Sequence, residues 1–351
     1  MTNKILITGS AGFIGFHLAE RLLQRGDEVV GIDNINDYYN PQLKLDRLAE
    51  SGIGEEAVNW NHRVRSNKYP NYTFIRMNLE EKESLMSLCQ KEQFDIIINL
   101  AAQPGVRYSI ENPDAYVQSN VVSFLNILEA ARHFKVKHLV YASSSSVYGL
   151  NETMPFSVKH NVDHPVSLYA ATKKSNELMA HAYSHLYNIP TSGLRFFTVY
   201  GPWGRPDMAY YLFAEAIMKG EPIKVFNQGK MKRDFTYIDD IVTGIVNVAD
   251  FPATSDSNWS SVNPDPSRSV DPYRIYNIGN NKPVELMEFI ETLGNALGVQ
   301  PELQLMDMQP GDVVATWADV EDLVNNFSYK PETSIEEGVG EFAKWYLKGK
   351  G

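Results

Sequence analysis
KILITGSAGFIG, residues 4–15, is the stretch whose reading decides the fold. Lys4 to Thr8 is a short apolar run of strand type. It leads straight into Gly9-Ser10-Ala11-Gly12-Phe13-Ile14-Gly15, after which Phe13, Ile14, Leu18, Leu22 and Leu23 recur at helical spacing. Strand, glycine turn and helix together place backbone N–H groups and a helix N-terminus where a pyrophosphate binds. The glycine spacing is GxxGxxG rather than GxGxxG. A second strand, Glu28 to Asp33 (EVVGID), ends in an acid 18 residues after Gly15. A carboxylate there hydrogen-bonds the adenosine ribose hydroxyls and repels a 2′-phosphate, so NAD is expected rather than NADP.

Outward from this unit, strands are predicted at Thr73–Met77 (TFIRM), Asp95–Leu100 (DIIINL), His138–Ser143 (HLVYAS) and Pro190–Phe196, with helical patterns between them. Alternating strands and helices mean α/β architecture with a Rossmann-type, doubly wound parallel sheet. Asn34 to Asn71 is polar and reads as an exposed excursion. From about Ser192 the pattern changes to mixed segments with more Pro and Gly. The expected division is residues 1–191 as an NAD-binding domain and 192–351 as a smaller mixed α/β substrate domain, with a discontinuous boundary. Ala253 to Asp271, rich in Ser, Pro, Asp and Asn, reads as a mobile surface loop. Val121 to Ala131 (VVSFLNILEAA) carries an apolar stripe at helical spacing, as does the helix holding Tyr169. Two readings of these stripes are open: burial within one subunit, or pairing across a two-fold axis as the four-helix bundle of a homodimer.

The chain has 351 residues, 43% apolar and 21% charged, which describes a soluble globular protein with ample length for a core. A formal charge of -11 argues against a nucleic-acid surface. The single cysteine, Cys89, excludes an internal disulfide and any multi-cysteine metal site; it reads as a small helix-core residue. The eight histidines show no ligand spacing, so no metal is assigned. No apolar run approaches the ~18 residues of a membrane span. The N-terminus reads as the first strand rather than a signal segment, so a cytoplasmic location is expected. In that compartment the sequons at Asn71, Asn151 and Asn258 would stay unmodified.

The chemistry-bearing residues lie in the middle of the chain. Lys173 follows Tyr169 by four residues, about one helical turn, so both side chains share a helix face. An ammonium beside a phenol favours the phenolate, and a phenol tuned toward neutral pH is a general base for an alcohol. On spacing alone the signal is weak, since the same spacing arises by chance in many proteins as a solvated helix pair. Ser143-Ser144-Ser145-Ser146-Val147-Tyr148-Gly149 follows a buried-type strand, and ligands in open parallel sheets sit beyond the carboxyl ends of strands. Its hydroxyls suit a substrate oxygen or carboxylate, or else make a polar turn. Asn99-Leu100-Ala101-Ala102-Gln103 ends the fourth strand, where small Ala101 and Ala102 allow either close cofactor approach or tight packing.

TGSAGFIG at 8–15, YASSSSVYG at 141–149, the Tyr169/Lys173 pair and RDFTYIDD at 233–240 together resemble the extended short-chain dehydrogenase/reductase family, over essentially the whole chain. GIDNINDYYN at 31–40, AAQPGVRYSIENPDAYVQSN at 101–120 and RFFTVYGPWGRPDMA at 195–209 resemble its UDP-glucuronate 4-epimerase branch. The resemblance implies an NAD-retaining isomerase with a nucleotide-sugar domain, usually homodimeric, acting in polysaccharide biosynthesis. It implies cofactor contacts from Gly9, Gly12, Phe13, Ile14, Gly15, Asp33, Asn34, Asn78, Leu79, Ala101, Ala102, Gln103, Asn120, Tyr169 and Lys173. Asn78-Leu79 departs from the family's more frequent Asp-Leu by the adenine; an amide offers both donor and acceptor, so an altered contact with NAD retained is expected.

By the same resemblance Tyr169 takes the proton from the sugar 4-hydroxyl while C4 passes a hydride to NAD. Ser144 hydrogen-bonds the same oxygen, and Lys173 holds the nicotinamide ribose. The 4-keto sugar turns over and receives the hydride on its opposite face. A 4-keto group beside a C5 bearing a carboxylate is a β-keto acid, prone to lose CO2. Donors that pin the carboxylate away from alignment with the carbonyl suppress that loss, and the resemblance makes these Ser145, Ser146 and Thr198, with Arg205 nearby. Thr198 stands where sister enzymes often have Asn; its alternative is a turn hydroxyl, and that of Arg205 a surface ion pair. Arg107 is a further implied substrate contact. Arg233 suits bidentate phosphate binding. Val225-Phe226-Asn227 is assigned to uracil, with ordinary core packing the other reading of Phe226, and Asp312 to the uridine ribose.

The rival readings are a UDP-glucuronate decarboxylase, another UDP-hexose 4-epimerase, and a non-catalytic NAD or nucleotide-sugar sensor. A 4,6-dehydratase would carry an Asp-Glu pair just after the catalytic hydroxyl, where Ser145-Ser146 stand. Intact Tyr169 and Lys173 speak against the sensor.

Overall fold
The computed structural model describes residues 2–308 and 315–349. The chain divides into two compact units. One comprises Met1–Glu152, Val158–Phe196 and Gly244–Tyr276; the other comprises Thr153–Ser157, Phe197–Thr243 and Asn277–Gly351.

The first unit is built on an eight-stranded sheet. Its spatial order is Tyr273–Ile278, Thr191–Phe196, His138–Ser144, Ile96–Asn99, Lys4–Thr8, Glu28–Asp33, Tyr72–Arg76 and Arg63–Arg65. From Thr191–Phe196 through Tyr72–Arg76 every pairing is parallel, and Arg63–Arg65 closes the edge antiparallel. Ile5, Leu6 and Ile7 are fully buried, as are Ile97 and Ile98. Unbroken apolar runs of this kind are what a parallel sheet covered on both faces demands. Each such side chain contributes roughly 1.5–3 kcal/mol through burial. The helices Lys82–Glu92, Ser123–Phe134 and Leu168–Tyr187 pack one shared core against it through Leu85, Leu88, Phe124, Ile127, Leu128 and Ala180. Cys89 lies in this core, and burial pushes its thiol up to about 12. Strand order reverses between Lys4–Thr8 and Ile96–Asn99, the switch point at which such sheets bind ligands.

Three features differ from the sequence reading. The polar excursion after the second strand contains the edge strand Arg63–Arg65, too short and too charged to show a period. Tyr273–Ile278 adds an eighth strand that the sequence reading does not contain, because Arg274 and Asn277 interrupt its apolar residues. The helical stripe after Val117 starts as a π-helical turn, Val117–Val122, before the α-helix Ser123–Phe134. The loop over residues 253–271 has no strand or helix, but its own bonds shape it: Trp259 Nε1 donates to the Asp265 carbonyl at 3.1 Å, and Arg268 Nε is 2.9 Å from Asp265.

The second unit holds a small mixed sheet in which Lys232–Tyr237 pairs in parallel with Thr198–Tyr200 and antiparallel with Pro283–Glu285. Tyr200, Tyr210, Phe235, Phe289 and Phe342 are buried in its core, with Phe235 and Phe289 stacked at 4.1 Å. Asp234 is fully buried and ties this sheet to neighbouring loops. It accepts from the backbone N–H groups of Asn280, Asn281 and Ala318 and from the Thr236 hydroxyl.

Candidate active site
Gly9 turns the chain out of the first strand with a φ of 73°, and a Cβ there would lie 2.9 Å from the Ala101 nitrogen. At Gly15 a Cβ would collide with the Gly9 carbonyl. The helix Phe13–Arg25 begins at Gly12, which has no side chain to cap it, and its first turn contains no acid. An uncapped helix N-terminus presents donors and a partial positive charge to an anion. Phe13 is buried and Ile14 half-buried in that first turn.

Asp33 ends the second strand almost fully buried. Its carboxylate accepts from the Ile35 N–H at 2.8 Å and the Ala11 N–H at 3.3 Å, and Lys44 Nζ stands 3.9 Å away. These bonds fix the acid beside the glycine turn. Asn34 accepts from the Asn36 N–H, and Asn78 is half-buried just before Leu79, whose carbonyl accepts from Asn126.

Ala101, Ala102 and Gln103 follow the strand Ile96–Asn99. Thr8 Oγ1 donates to Asn99 at 2.7 Å and accepts from the Ala101 N–H at 3.1 Å. Asn120 lies in the π-helical turn, a deviation often found at functional sites. Its Oδ1 accepts from the Gln103 N–H at 2.7 Å. Its Nδ2 donates to the Gln103 carbonyl and to Thr172 Oγ1, and its carbonyl accepts from Asn176. One amide thereby joins the segment after the strand Ile96–Asn99 to the helix that carries Tyr169. Thr172 and Asn176 were missed in the sequence because buried polar side chains have no periodic signature. Arg107 is exposed at the start of the short helix Tyr108–Glu111.

The helix Leu168–Tyr187 is capped by Ser167, which accepts from the Ala170 N–H. Lys173 is 3% exposed, so a solvated pair does not describe it. Its Nζ donates to the Ala142 carbonyl at 2.9 Å, and burial pulls its ammonium down to about 8. Tyr169 is half-buried, its ring edge-on to that of Tyr116 at 6.1 Å. Ser144 ends the strand His138–Ser144 and caps the short 3-10 helix Ser145–Tyr148, accepting from the Ser146 N–H at 3.1 Å. Its hydroxyl also lies 3.1 Å from that of Ser146. The first unit thus holds the base candidate, its cation and three serine hydroxyls in relation to one strand end.

In the second unit Thr198 begins a strand, half-buried. Arg205 forms a fork with Asp207, Nε to Oδ1 at 3.0 Å and Nη2 to Oδ2 at 2.8 Å, which is the ion pair left open by its sequence. Val225 is fully buried in the unit's core, and its carbonyl accepts from the Met306 N–H. Phe226 is partly buried against the same core, in keeping with its packing reading. Asn227 is half-buried and donates to the Lys230 carbonyl. Arg233 Nη1 donates to the neighbouring Lys232 carbonyl. Asp312 lies outside the described residues.

The profile of the NAD dependent epimerase/dehydratase family matches residues 5–279. The chain belongs to this family. It is 55% identical over 345 residues to "Protein CapI" of Staphylococcus aureus, covering 98% of both chains. It is 45% identical over 351 residues to a "Probable UDP-glucuronate 4-epimerase" of Rhizobium meliloti, covering 98% of this chain and 96% of the other. Among solved structures it superimposes on UDP-glucuronic acid 4-epimerase from Bacillus cereus, solved with UDP-glucuronic acid and NAD. The TM-score is 0.83 at 30% identity, covering 98% and 99% of the two chains.

Proposed function
We propose that this enzyme interconverts UDP-glucuronate and UDP-galacturonate by C4 epimerisation with retained NAD. The observation that carries the reading is the strand end at Ala142–Ser144: Lys173, which shares a helix face with Tyr169, donates to the Ala142 carbonyl, and the hydroxyls of Ser144, Ser145 and Ser146 follow directly. Relatives named as UDP-glucuronate 4-epimerases along nearly the full chain support it.

The residues fit a dinucleotide on the geometry of the glycine turn and on the uncapped helix N-terminus beyond it. Gly9, Gly12 and Gly15 would pass the pyrophosphate, Asp33 the adenosine ribose, and Lys173 the nicotinamide ribose. NAD, when bound, supplies a reversible hydride acceptor at the sugar. Tyr169 removes the proton from O4 in one half-reaction and returns it in the other, and Ser144 donates to the same oxygen. The Lys173 ammonium favours the phenolate by its charge. Ser145, Ser146 and Thr198 hold the C6 carboxylate out of line with the C4 carbonyl. Arg205 joins them by exchanging or sharing its bond to Asp207. We assign the UDP end to Val225, Phe226, Asn227, Arg233 and Asp312.

We further infer a homodimer built on the helices Ser123–Phe134 and Leu168–Tyr187, which leave Leu125, Leu178 and Leu186 40%, 60% and 64% exposed. No helix among the described residues is long and apolar enough to cross a membrane. The proposed setting is cytoplasmic supply of a uronate for polysaccharide synthesis.

Incubation with UDP-glucuronate and separation of the products tests the function. UDP-galacturonate is expected. A UDP-pentose with CO2 would make the enzyme a decarboxylase, and inertness toward every UDP-sugar would leave a sensor.

A further inference from the structure
Glu177 follows Lys173 by one helical turn, so Tyr169, Lys173 and Glu177 form one stripe on their helix. Glu177 and Arg195 are each 1% exposed. Arg195 Nε donates to Glu177 Oε1 at 2.8 Å and Nη2 donates to Oε2 at 2.9 Å, a planar two-bond fork. Ser143 Oγ donates to the same Oε1 at 2.7 Å. Ser143 and Arg195 are register partners on adjacent parallel strands. The Arg195 guanidinium carbon also lies 4.9 Å from the centre of the Tyr148 ring.

Such a pair is a poor device for stability alone, since apolar residues of equal volume often do as well or better. Its geometry supplies another reason. Ser143 immediately precedes Ser144-Ser145-Ser146 and Tyr148 closes the same turn, so the fork grips the serine turn at both ends. Lys173 fixes the preceding carbonyl, that of Ala142.

We propose that Glu177 and Arg195 are positioning residues that clamp Ser143 and Tyr148 and so hold the Ser144 hydroxyl in register with Tyr169. The proposal rests on the epimerase reading for what Ser144 does, and not for the clamp itself.

A double-mutant cycle tests it. Glu177→Gln is expected to lower kcat on the order of 100-fold, as misplacement of a reacting group does, with NAD content unchanged. Ser143→Ala, which removes one hydroxyl without unpairing Arg195, is expected to lower kcat about tenfold and carries the test if Glu177→Gln does not fold. Combined with Ser144→Ala, either variant should fall no more than about threefold below the worse single variant, because both act through one hydroxyl. Losses that multiply independently, or unaltered kcat, overturn the proposal. Amide exchange read by mass spectrometry is the second measurement. Residues 143–148 should exchange at least about tenfold faster in Ser143→Ala, with Phe13–Arg25 unchanged. Unchanged exchange in the turn overturns the clamp whatever the substrate. If the unaltered protein does not turn over UDP-glucuronate while the turn loosens as expected, the functional reading fails and the clamp stands.

Discussion
The Tyr169–Lys173–Glu177 stripe of the first unit and the substrate-binding candidates of the second are built on opposite principles. In the first unit Lys173, Glu177 and Arg195 are buried, and their hydrogen bonds run to partners at least 18 positions away in the sequence. In the second, Arg205, Asn227 and Arg233 are only half-buried and bond to residues within three positions of themselves. Local partners of partly exposed groups are exchanged at little cost, whereas buried partners are not. The first arrangement suits groups that must stand still while a proton and a hydride move. The second suits groups that change partner when a ligand arrives. Substitutions in the stripe should therefore act on kcat, and those in the second unit on binding and on what product is released.

The sharpest attempt to break this contrast is Tyr169→Phe, which should reduce kcat by about 10³-fold or more while NAD stays bound. Near-native turnover would remove Tyr169 as the base. Lys173→Met comes next: we expect kcat on the order of 100-fold lower, together with weaker NAD retention, because one cation serves both. A loss of NAD with normal kcat in the refilled enzyme would separate the two duties. Thr198→Val and Arg205→Ala should leave kcat within about tenfold yet raise the fraction of decarboxylated UDP-pentose. A constant product ratio would end their role at the carboxylate.

The smallest effect concerns stability. His138 is fully buried, with Nδ1 3.2 Å from the Ala249 carbonyl and Nε2 2.9 Å from Ser192 Oγ. A carbonyl only accepts, so Nδ1 carries the proton and Nε2 accepts from the serine. Burial drives this imidazole down to about 4. Between its unfolded value near ~6.5 and the folded value, the unfolded chain binds the extra proton, so stability is complete above that window and falls with pH through it. The loss amounts to about 3 kcal/mol, and His138→Asn should flatten this part of the urea-midpoint profile between pH 7 and 4. An equal slope in both proteins would place the acid sensitivity elsewhere.

The Rossmann core was legible because its signals are local. KILIT, EVVGID and DIIINL announce buried parallel strands, and the glycine turn names the ligand class. Tyr169 and Lys173 were legible by spacing, yet spacing left a solvated pair open until the fold buried Lys173 at 3% exposure. The Asn120–Thr172–Asn176 junction was not legible in its connections, since its partners lie up to 56 positions apart. Arg63–Arg65 and Tyr273–Ile278 escaped notice because edge strands need no continuous apolar run.

What the sequence alone determined is the nature of the chemistry: a glycine turn for a pyrophosphate, an acid for a ribose, a phenol and an ammonium one helical turn apart. Those follow from residue type and short spacing, which the backbone geometry of strands and helices converts directly into direction. Only the tertiary structure decided which polar groups are buried together. It set Ser143 beside Arg195 across two strands and brought Glu177 onto both. Burial and long-range partnership depend on how sheets and helices stack, and no short window of sequence contains that information.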